Sequence, residues 1–524
     1  MISRIRPHRQ SKRVIAMLCA SGVMTGLSTS ILAAPRDADA SVTPTAPTQY
    51  KNTTAKSRKQ TAAIAIATQP DAAWWTLFHD RTLADLEEAA ILANQDLRQG
   101  VARVIEARQE AISAAADFYP HLDATLRGSR QRITNTGPLQ HGRFTGAAIS
   151  SAATSSSNPA AAALNPLSEF FTRAITTQPL TATYNDFRTP LTLTYELDVF
   201  GRIRGTYDQA RANAQAQEAD RRTVQLSLTS QVATNYFSLR ALDAEVAILQ
   251  KTIALREESV HLQRQRFDLG AGSALDVSRA RVELDNAQSD LTDTLRLRAE
   301  TENSLALLCG QAASNFHLPP RPLDGSHPPA IPAGVPAQLV AQRPDLIESE
   351  RKVAAAANGI RVARAELLPS FNLEGDAGYD SAHAGDVFEW QSRTWELMAT
   401  VKIPIFEGGR NLANLRAAKA RREEAIAAYQ QTALTAFKEV ENALADLHQR
   451  AAQAGTRERA VADSQQVLEF SKERYDQGAV TYFEVIDAQR GLLSAQLGRI
   501  ETLNARYAAT VELIRALGGP YEAR

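Results

Sequence analysis

Residues 201–270 read GRIRGTYDQARANAQAQEADRRTVQLSLTSQVATNYFSLRALDAEVAILQKTIALREESVHLQRQRFDLG. From Thr206 to Leu269 the stretch holds neither Gly nor Pro, the two residues that interrupt helices. At 1.5 Å per residue it predicts a helical rod of roughly 95 Å. Val232, Leu239, Val246, Ile253 and Val260 recur at heptad spacing, the pattern of a left-handed coiled-coil seam. The stretch is also written twice. Shifted by 208 positions, Gly201 to Gly310 falls without a gap on Gly409 to Gly518, with Arg202 on Arg410, Leu239 on Leu447, Gly270 on Gly478 and Val277 on Val485. Val440, Leu447, Ala454, Val461 and Leu468 repeat the seam. Self-similarity at a long fixed period means one structural unit built twice.

Composition narrows the function. The 58 Lys and Arg balance 58 Asp and Glu, and no basic stripe with interleaved aromatics suggests nucleic acid. Two cysteines, Cys19 and Cys309, exclude a disulfide scaffold. Cys309 aligns with Leu517 of the second repeat, so it reads as a small buried hydrophobe rather than a reactive thiol. No metal-spaced cluster, phosphate-cradling loop or nucleophile elbow stands out, and no cofactor or metal is expected.

Arg4, Arg6, Arg9, Lys12 and Arg13 precede an apolar run from Val14 to Ala34, which reads as an export signal over residues 1–34, with cleavage as late as residue 40. The alternative is a retained anchor. Bulky Met17 and Leu18 ahead of Cys19 argue against a lipid attachment site. No later segment has the 18 consecutive apolar residues of a spanning helix, so a membrane crossing would have to use strands.

Residues 41–73, rich in Thr, Ala, Lys and Pro, read as a loosely ordered lead-in. Trp74, Trp75, Phe78, Leu83 and Leu86 then open a helical region running toward Phe118 and stopped by Pro120, the tryptophans serving as packing anchors. This region is doubled as well, 249 positions on: Asp96-Leu97 falls on Asp345-Leu346 and Pro120 on Pro369. The difference between the two offsets places extra length between Pro120 and Gly201. Ala, Ser, Thr, Asn and Gly dominate there, which predicts a long exposed loop over 135–188.

Four segments alternate apolar and polar residues around that loop and its shorter counterpart. They run from Leu122 to Leu126, Leu191 to Val199, Phe371 to Asp380, and Leu397 to Ile405. Period two is the mark of a half-buried strand, and these lengths suit a tilted membrane strand with lipid on one side and water on the other. A soluble antiparallel sheet is the alternative. Four strands are too few to close a barrel, so in a membrane several copies would have to pool them.

The long rod turns at Gly270-Ala-Gly-Ser273 and returns to Gly310; its copy turns between Asp476 and Thr481. The expected units are a first repeat over 74–310, with a helical hairpin at 203–310, and a second over 338–519, with a hairpin at 409–518. Residues 311–337, with Pro319, Pro320, Pro322, Pro328, Pro329, Pro332 and Pro336, form an extended linker between them. The fold class is α+β, mainly α.

Several stretches carry a family resemblance. They include Tyr195-Glu-Leu-Asp-Val-Phe-Gly-Arg202, Leu269-Gly-Ala-Gly-Ser-Ala-Leu-Asp-Val277, Arg343-Pro-Asp-Leu346, Ala363-Arg-Ala-Glu-Leu-Leu-Pro369, Pro404-Ile-Phe-Glu-Gly-Gly-Arg410 and Tyr482-Phe-Glu-Val-Ile-Asp-Ala-Gln-Arg490. In order and spacing they resemble the outer-membrane factor family of tripartite efflux systems, the TolC-like proteins, and within it the NodT-type branch. The resemblance implies a homotrimer in the Gram-negative outer membrane, with four strands per chain in a twelve-stranded β-barrel above a helical α-barrel that extends into the periplasm. It also implies partners: outer-membrane lipid, a periplasmic adaptor (membrane fusion) protein and an inner-membrane efflux pump. The chain itself would be a passive export duct for small molecules. The departure is the missing lipidation site, which many relatives of this branch carry.

By the same resemblance the helix turns, with Gly270, Gly272, Ser273, Gly478 and Thr481, are adaptor-docking tips. Glu484 and Asp487, three apart on one helical face, would form an acidic ring when copied around a threefold axis, favouring cations as such rings do in channels. Tyr475 matches a residue of the periplasmic gate. Asp276 is the counterpart of Glu484 in the first repeat, which puts Arg279 opposite Asp487. A tight turn and a solvated charged face are the plainer readings of these positions. Two other functions are weighed: a structural or adaptor-like periplasmic coiled coil without a pore, and an enzyme, for which no nucleophile, base and orienting group can be assembled.

Overall fold

The computed structural model describes residues 73–133, 182–323, 327–331 and 342–519. The export signal, nearly all of the lead-in, residues 135–181 of the expected loop and residues 324–326 and 332–337 of the expected linker lie outside them. Seven helices and six strand segments are labelled here: α1 (Arg81–Ala93), α2 (Gln95–Ala116), β1 (His121–Ala124), β2 (Arg127–Ile133), β3 (Ala182–Arg188), β4 (Leu191–Leu197), α3 (Arg202–Asp268), α4 (Ala274–Leu308), α5 (Pro344–Ala365), β5 (Ser370–Ser381), β6 (Arg393–Lys402), α6 (Arg410–Asp476) and α7 (Tyr482–Ala516).

The paired rods α3 and α6 have 67 residues each, about 100 Å of helix. Both start after a glycine in the left-handed region, Gly201 and Gly409. Both stop the same way: Gly270 and Gly478 take φ +74°, and the next N–H reaches back, Ala271 to the Arg266 carbonyl and Ala479 to the Arg474 carbonyl, each at 2.8 Å. This is the closure that satisfies orphan carbonyls at a helix end, and only glycine adopts its backbone without strain. The heptad stripe is buried at Val232, Leu239, Val440 and Leu468 and half-buried at its other positions.

Helices pack in two rows that share α3 and α6. In one row the order is α2, α3, α5, α6; in the other it is α4, α3, α7, α6. The short helices therefore stand end to end with the long return helices, and the joints are built from polar chemistry. The Asn94 side chain caps α2 by accepting from Leu97 N–H at 3.0 Å, and its amide donates to the Leu308 carbonyl at the end of α4, also at 3.0 Å. At the matching joint of the second repeat Arg343 donates to the Ala516 carbonyl at 2.9 Å and pairs with Asp345 and Glu439. Asn94 also breaks the helical region expected to run toward Phe118 into α1 and α2.

Below the Asn94 joint lies the main core. Trp74 and Trp75 are buried there with Leu83, Leu86, Tyr236, Phe237, Cys309 and Ile514, and Phe237 stacks on Tyr507 at 4.3 Å between centroids. Burial pushes the Cys309 thiol up to about 11, which agrees with an inert filler. The described start of the linker is tied to the helices through Leu318, Pro319 and Arg321. Buried Asp243 accepts from Arg240 at 2.8 Å, Arg298 at 2.7 Å and the Arg321 backbone at 2.9 Å, while Arg240 and Arg298 donate to the carbonyls of Pro319 and Leu318.

The sheet is antiparallel, and its ladders join the six segments into four lines. Register does not slip between β1–β4 and β2–β3: Ala124 pairs with Leu191, Arg127 with Arg188, and Thr125 N–H bridges the break by donating to the Pro190 carbonyl at 3.0 Å. Uninterrupted β5 pairs with both β3 and β4 on one side and with β6 on the other. Two strand expectations need correction. The fourth strand spans Arg393–Lys402 rather than Leu397–Ile405, because Pro404 has no N–H to donate and ends the ladder. The expected loop over 135–188 is shorter at its end, since Ala182–Arg188 is strand β3, with its polar Thr183, Asn185 and Asp186 facing neighbours in the sheet.

Glu87 is fully buried in α1, and neither carboxylate oxygen has a hydrogen-bond partner among the described residues. Burial holds its pKa well above the ordinary carboxylate range. Its raised folded-state pKa gives a contribution fully present below the unfolded value of about 4.3 and lost as pH rises through the folded value. Glu87→Met should therefore raise the thermal midpoint of the detergent-solubilised protein at neutral pH, by about 2 kcal/mol of stability. The gain should shrink toward pH about 4, and a gain independent of pH would contradict the assignment.

Candidate functional site

The two helix turns are built alike and finished differently. Ser273 caps α4, its hydroxyl accepting from Leu275 N–H at 3.1 Å, and Gly272 comes so close to the end of α3 that a Cβ would sit 3.0 Å from the Phe267 nitrogen. Thr481 stands at the same place before α7 but makes no side-chain cap bond. Gly270, Ser273, Gly478 and Thr481 are exposed. Between α4 and α7 just behind the turns runs a groove of about 320 Å³, lined by Leu275, Val282, Phe483 and Ile486 with Arg279 and Arg490 beside them. Arg279 lies over the Phe483 ring at 5.6 Å.

The expected gate residues do not converge within one chain. Tyr475, at the end of α6, donates its hydroxyl proton to Gln263 of α3 at 3.1 Å, lies under the Arg266 guanidinium at 4.8 Å and meets the Tyr482 ring at 5.5 Å. Arg266 also approaches Asp476 at 3.5 Å. Glu484 and Asp487 are exposed on α7, and Arg474 approaches Glu484 only to 3.9 Å. Asp276 pairs with Arg279 on its own helix at 3.7 Å. Asp276 and Glu484 both lie in the first turn of a helix, where a carboxylate also favours the positive end of the dipole.

Sequence reading missed the groups behind this surface. Glu283 of α4 is 5% exposed and holds two arginines. Arg256 of α3 reaches its backbone carbonyl and, at 3.4 Å, its carboxylate; Arg490 of α7 donates from Nε at 3.0 Å. Burial lowers the Arg256 pKa and the Glu283 charge counters that shift, while the Glu283 bond raises that of Arg490. Burial likewise raises the Tyr482 phenol. Glu283 thus ties α3, α4 and α7 together one step behind the tips. Its only sequence signal was an acid in a helix otherwise rich in them.

Residues 86–311 and 335–519 match the family model described as outer membrane efflux protein. The chain belongs to that family. This efflux protein is 31% identical over 479 residues to "Probable efflux pump outer membrane protein TtgC" of Pseudomonas putida, covering 91% of each chain. It is equally similar, 31% over 486 residues and 91% of each, to "Outer membrane protein OprJ" of Pseudomonas aeruginosa. Among solved structures, the outer-membrane channel OprN matches with a TM-score of 0.76 at 26% identity, covering 91% of this chain and 98% of that one. The protein works in efflux at the outer membrane, and its membership favours a channel over a pore-less coiled coil. No helix among the described residues is long and apolar enough to cross a membrane.

Replacing Glu283 by Gln should loosen the tip by about 3 kcal/mol, because a buried arginine loses its counter-charge. Amide exchange in 482–490 should then quicken by roughly a hundredfold, with the core around Trp74 unchanged. Exchange that stays at the wild-type rate would show that the pair does not hold the hairpins together.

Proposed function

We propose that three copies of this chain complete a passive duct, a twelve-stranded β-barrel in the outer membrane continued by a helical barrel in the periplasm, to which an inner-membrane pump delivers small molecules through a periplasmic adaptor. One observation carries the reading. The sheet is apolar on one face and polar on the other, yet its two outer lines, β1–β2 and β6, have no strand beyond them among the described residues. Open edges are not tolerated in hydrocarbon, and repetition of the chain pairs each edge with the next copy.

Residues 1–34 then serve export. The exposed turns at Gly270, Gly272, Ser273, Gly478 and Thr481, with the apolar groove beside Phe483, take the adaptor. Tyr475 holds α6 to α3 as a latch at the closed end, and Glu484 and Asp487 from three copies ring the aperture, with Asp276 nearby. Relatives are named for toluene and for cation efflux at similar levels of identity. That spread supports leaving cargo choice to the pump. No chemistry is assigned to the duct itself.

Glu484→Gln combined with Asp487→Asn should weaken block by multivalent cations in planar-bilayer recordings of the reconstituted protein, by about tenfold in blocking concentration. Unaltered block in the double variant would count against the ring.

A further inference from the structure

Charge is sorted by face along the sheet. Pairing puts Leu122, Leu193, Leu373 and Ala399 on one face together with Phe371, Trp395, Leu397 and Val401. Every carboxylate in the six strand segments falls on the other: Asp123, Asp186, Glu196, Glu374, Asp376, Asp380 and Glu396. The charged residues on the apolar face of the described strands are Arg130, Arg132 and Arg393. Register fixes that placement, since Arg130 pairs with Asn185 and Arg132 with Thr183, in step with Gly128 and Phe187, and Arg393 pairs with Tyr379.

All three lie at the end of the sheet away from the helices, beyond Trp395. An arginine facing lipid costs roughly 2–4 kcal/mol at mid-membrane and little near the interface, so this end marks the headgroup zone. On the polar face Arg188 is neutralised by Asp186 at 2.8 Å and Asp380 at 3.3 Å. Arg130 and Arg132 are exposed and have no ion pair among the described residues. Arg393 donates to the Trp390 carbonyl at 2.9 Å and lies over that ring, which holds its fork at the surface. Moreover, β2 and β6 are the two open lines of the sheet. Closing a barrel from copies brings Arg130 and Arg132 of one subunit to the same seam as Arg393 of the next.

We propose that these three arginines form, at each seam, a site for the phosphates of the diphosphorylated glycolipid in the outer leaflet. Guanidinium forks match phosphate oxygens two at a time, and the aromatic rings of Trp390 and Trp395 sit at the level of the headgroup and upper chain. The site rests on the multi-copy barrel reading, because the seam exists only between subunits. Its occupant is lipid-borne phosphate, since the arginines crown an apolar face that only acyl chains would cover.

The test uses the purified full-length oligomer in mixed micelles with diphosphoryl lipid A or with its dephosphorylated form, followed by native mass spectrometry. Wild type should retain the diphosphoryl lipid about tenfold better. Arg130→Gln with Arg132→Gln and Arg393→Gln should lose that preference while keeping the same oligomer and conductance. A preference that survives in the triple variant, or equal retention of both lipids by wild type, overturns the site. Displacement of lipid by inorganic phosphate at about 10 mM would overturn it too, as the mark of a plain anion site. If the triple variant does not assemble, the two-lipid comparison on wild type decides. A wild-type protein that is monomeric and non-conducting removes the barrel reading together with this one; a conducting oligomer indifferent to lipid phosphate removes this one alone.

Discussion

An unpaired backbone N–H or C=O is cheap in water and costs several kcal/mol in hydrocarbon. Among the described residues the sheet of this efflux protein ends on two such rows, at β1–β2 and at β6, while from Trp395 toward the helices one face is apolar and the other carries the carboxylates. Something must cover the rows. The helical part shows the same unfinished edges in another form. Its row-end helices carry exposed apolar side chains, Val101, Ile105 and Ile112 on α2, Val282 and Leu295 on α4, Leu434 and Phe470 on α6; in the middle, α5 carries none as large, and those of α3 and α7, Leu255, Leu262, Phe267 and Phe483, lie toward the tips. In the proposed duct, repetition around an axis answers both kinds of open side, since hydrogen bonding in the membrane and apolar burial outside it ask for the same operation.

Within one copy, duplication sets what must be solved twice, and the two solutions differ. Where a short helix meets the end of a return helix, the first repeat uses a neutral amide that caps one helix and donates to the other. The second repeat uses Arg343, which brings a buried charge to the same joint and so requires Asp345 and Glu439 around it. A buried charge left unpaired would cost several kcal/mol, so those carboxylates belong to the joint as much as the arginine does. The Asp243 cluster follows the same rule: two buried arginines share Asp243, Arg298 also pairs with Glu302, and a linker carbonyl accepts from each guanidinium.

What the sequence disclosed was what repeats locally. Gly-free and Pro-free rods, the glycines of the turns and the alternation of the strands are backbone preferences of neighbouring residues, and they surface in the linear order. Cys309 and the tryptophans were readable as core because apolar burial tolerates many arrangements. Asp243, Glu283 and the bond from Tyr475 to Gln263 were not readable, since each joins residues far apart in the chain through geometry that only packing creates. The start of β6 was missed because Arg393 stands where the alternation calls for an apolar residue, while Ile403 and Ile405 continue it past the proline that stops the ladder.

The tips hold the sharpest difference between the repeats. At the first, Asp276 has Arg279 one turn away and its charge is answered within the chain. At the second, the residue in the place of Arg279 is Asp487, so two acids share a face of α7 and repel by a few tenths of a kcal/mol. Arg490, the next base along that face, is held by buried Glu283, and Arg474 comes no nearer than 3.9 Å to Glu484. Glu484 gains the helix dipole and the distant Arg474, and Asp487 has only part of the charge of Arg490, three residues on. The pair is answered less fully than Asp276 is in the matching repeat, which shows the neutral solution to be available. In the proposed duct the pair contributes to the field at a narrow aperture, where acids from three copies add on one axis.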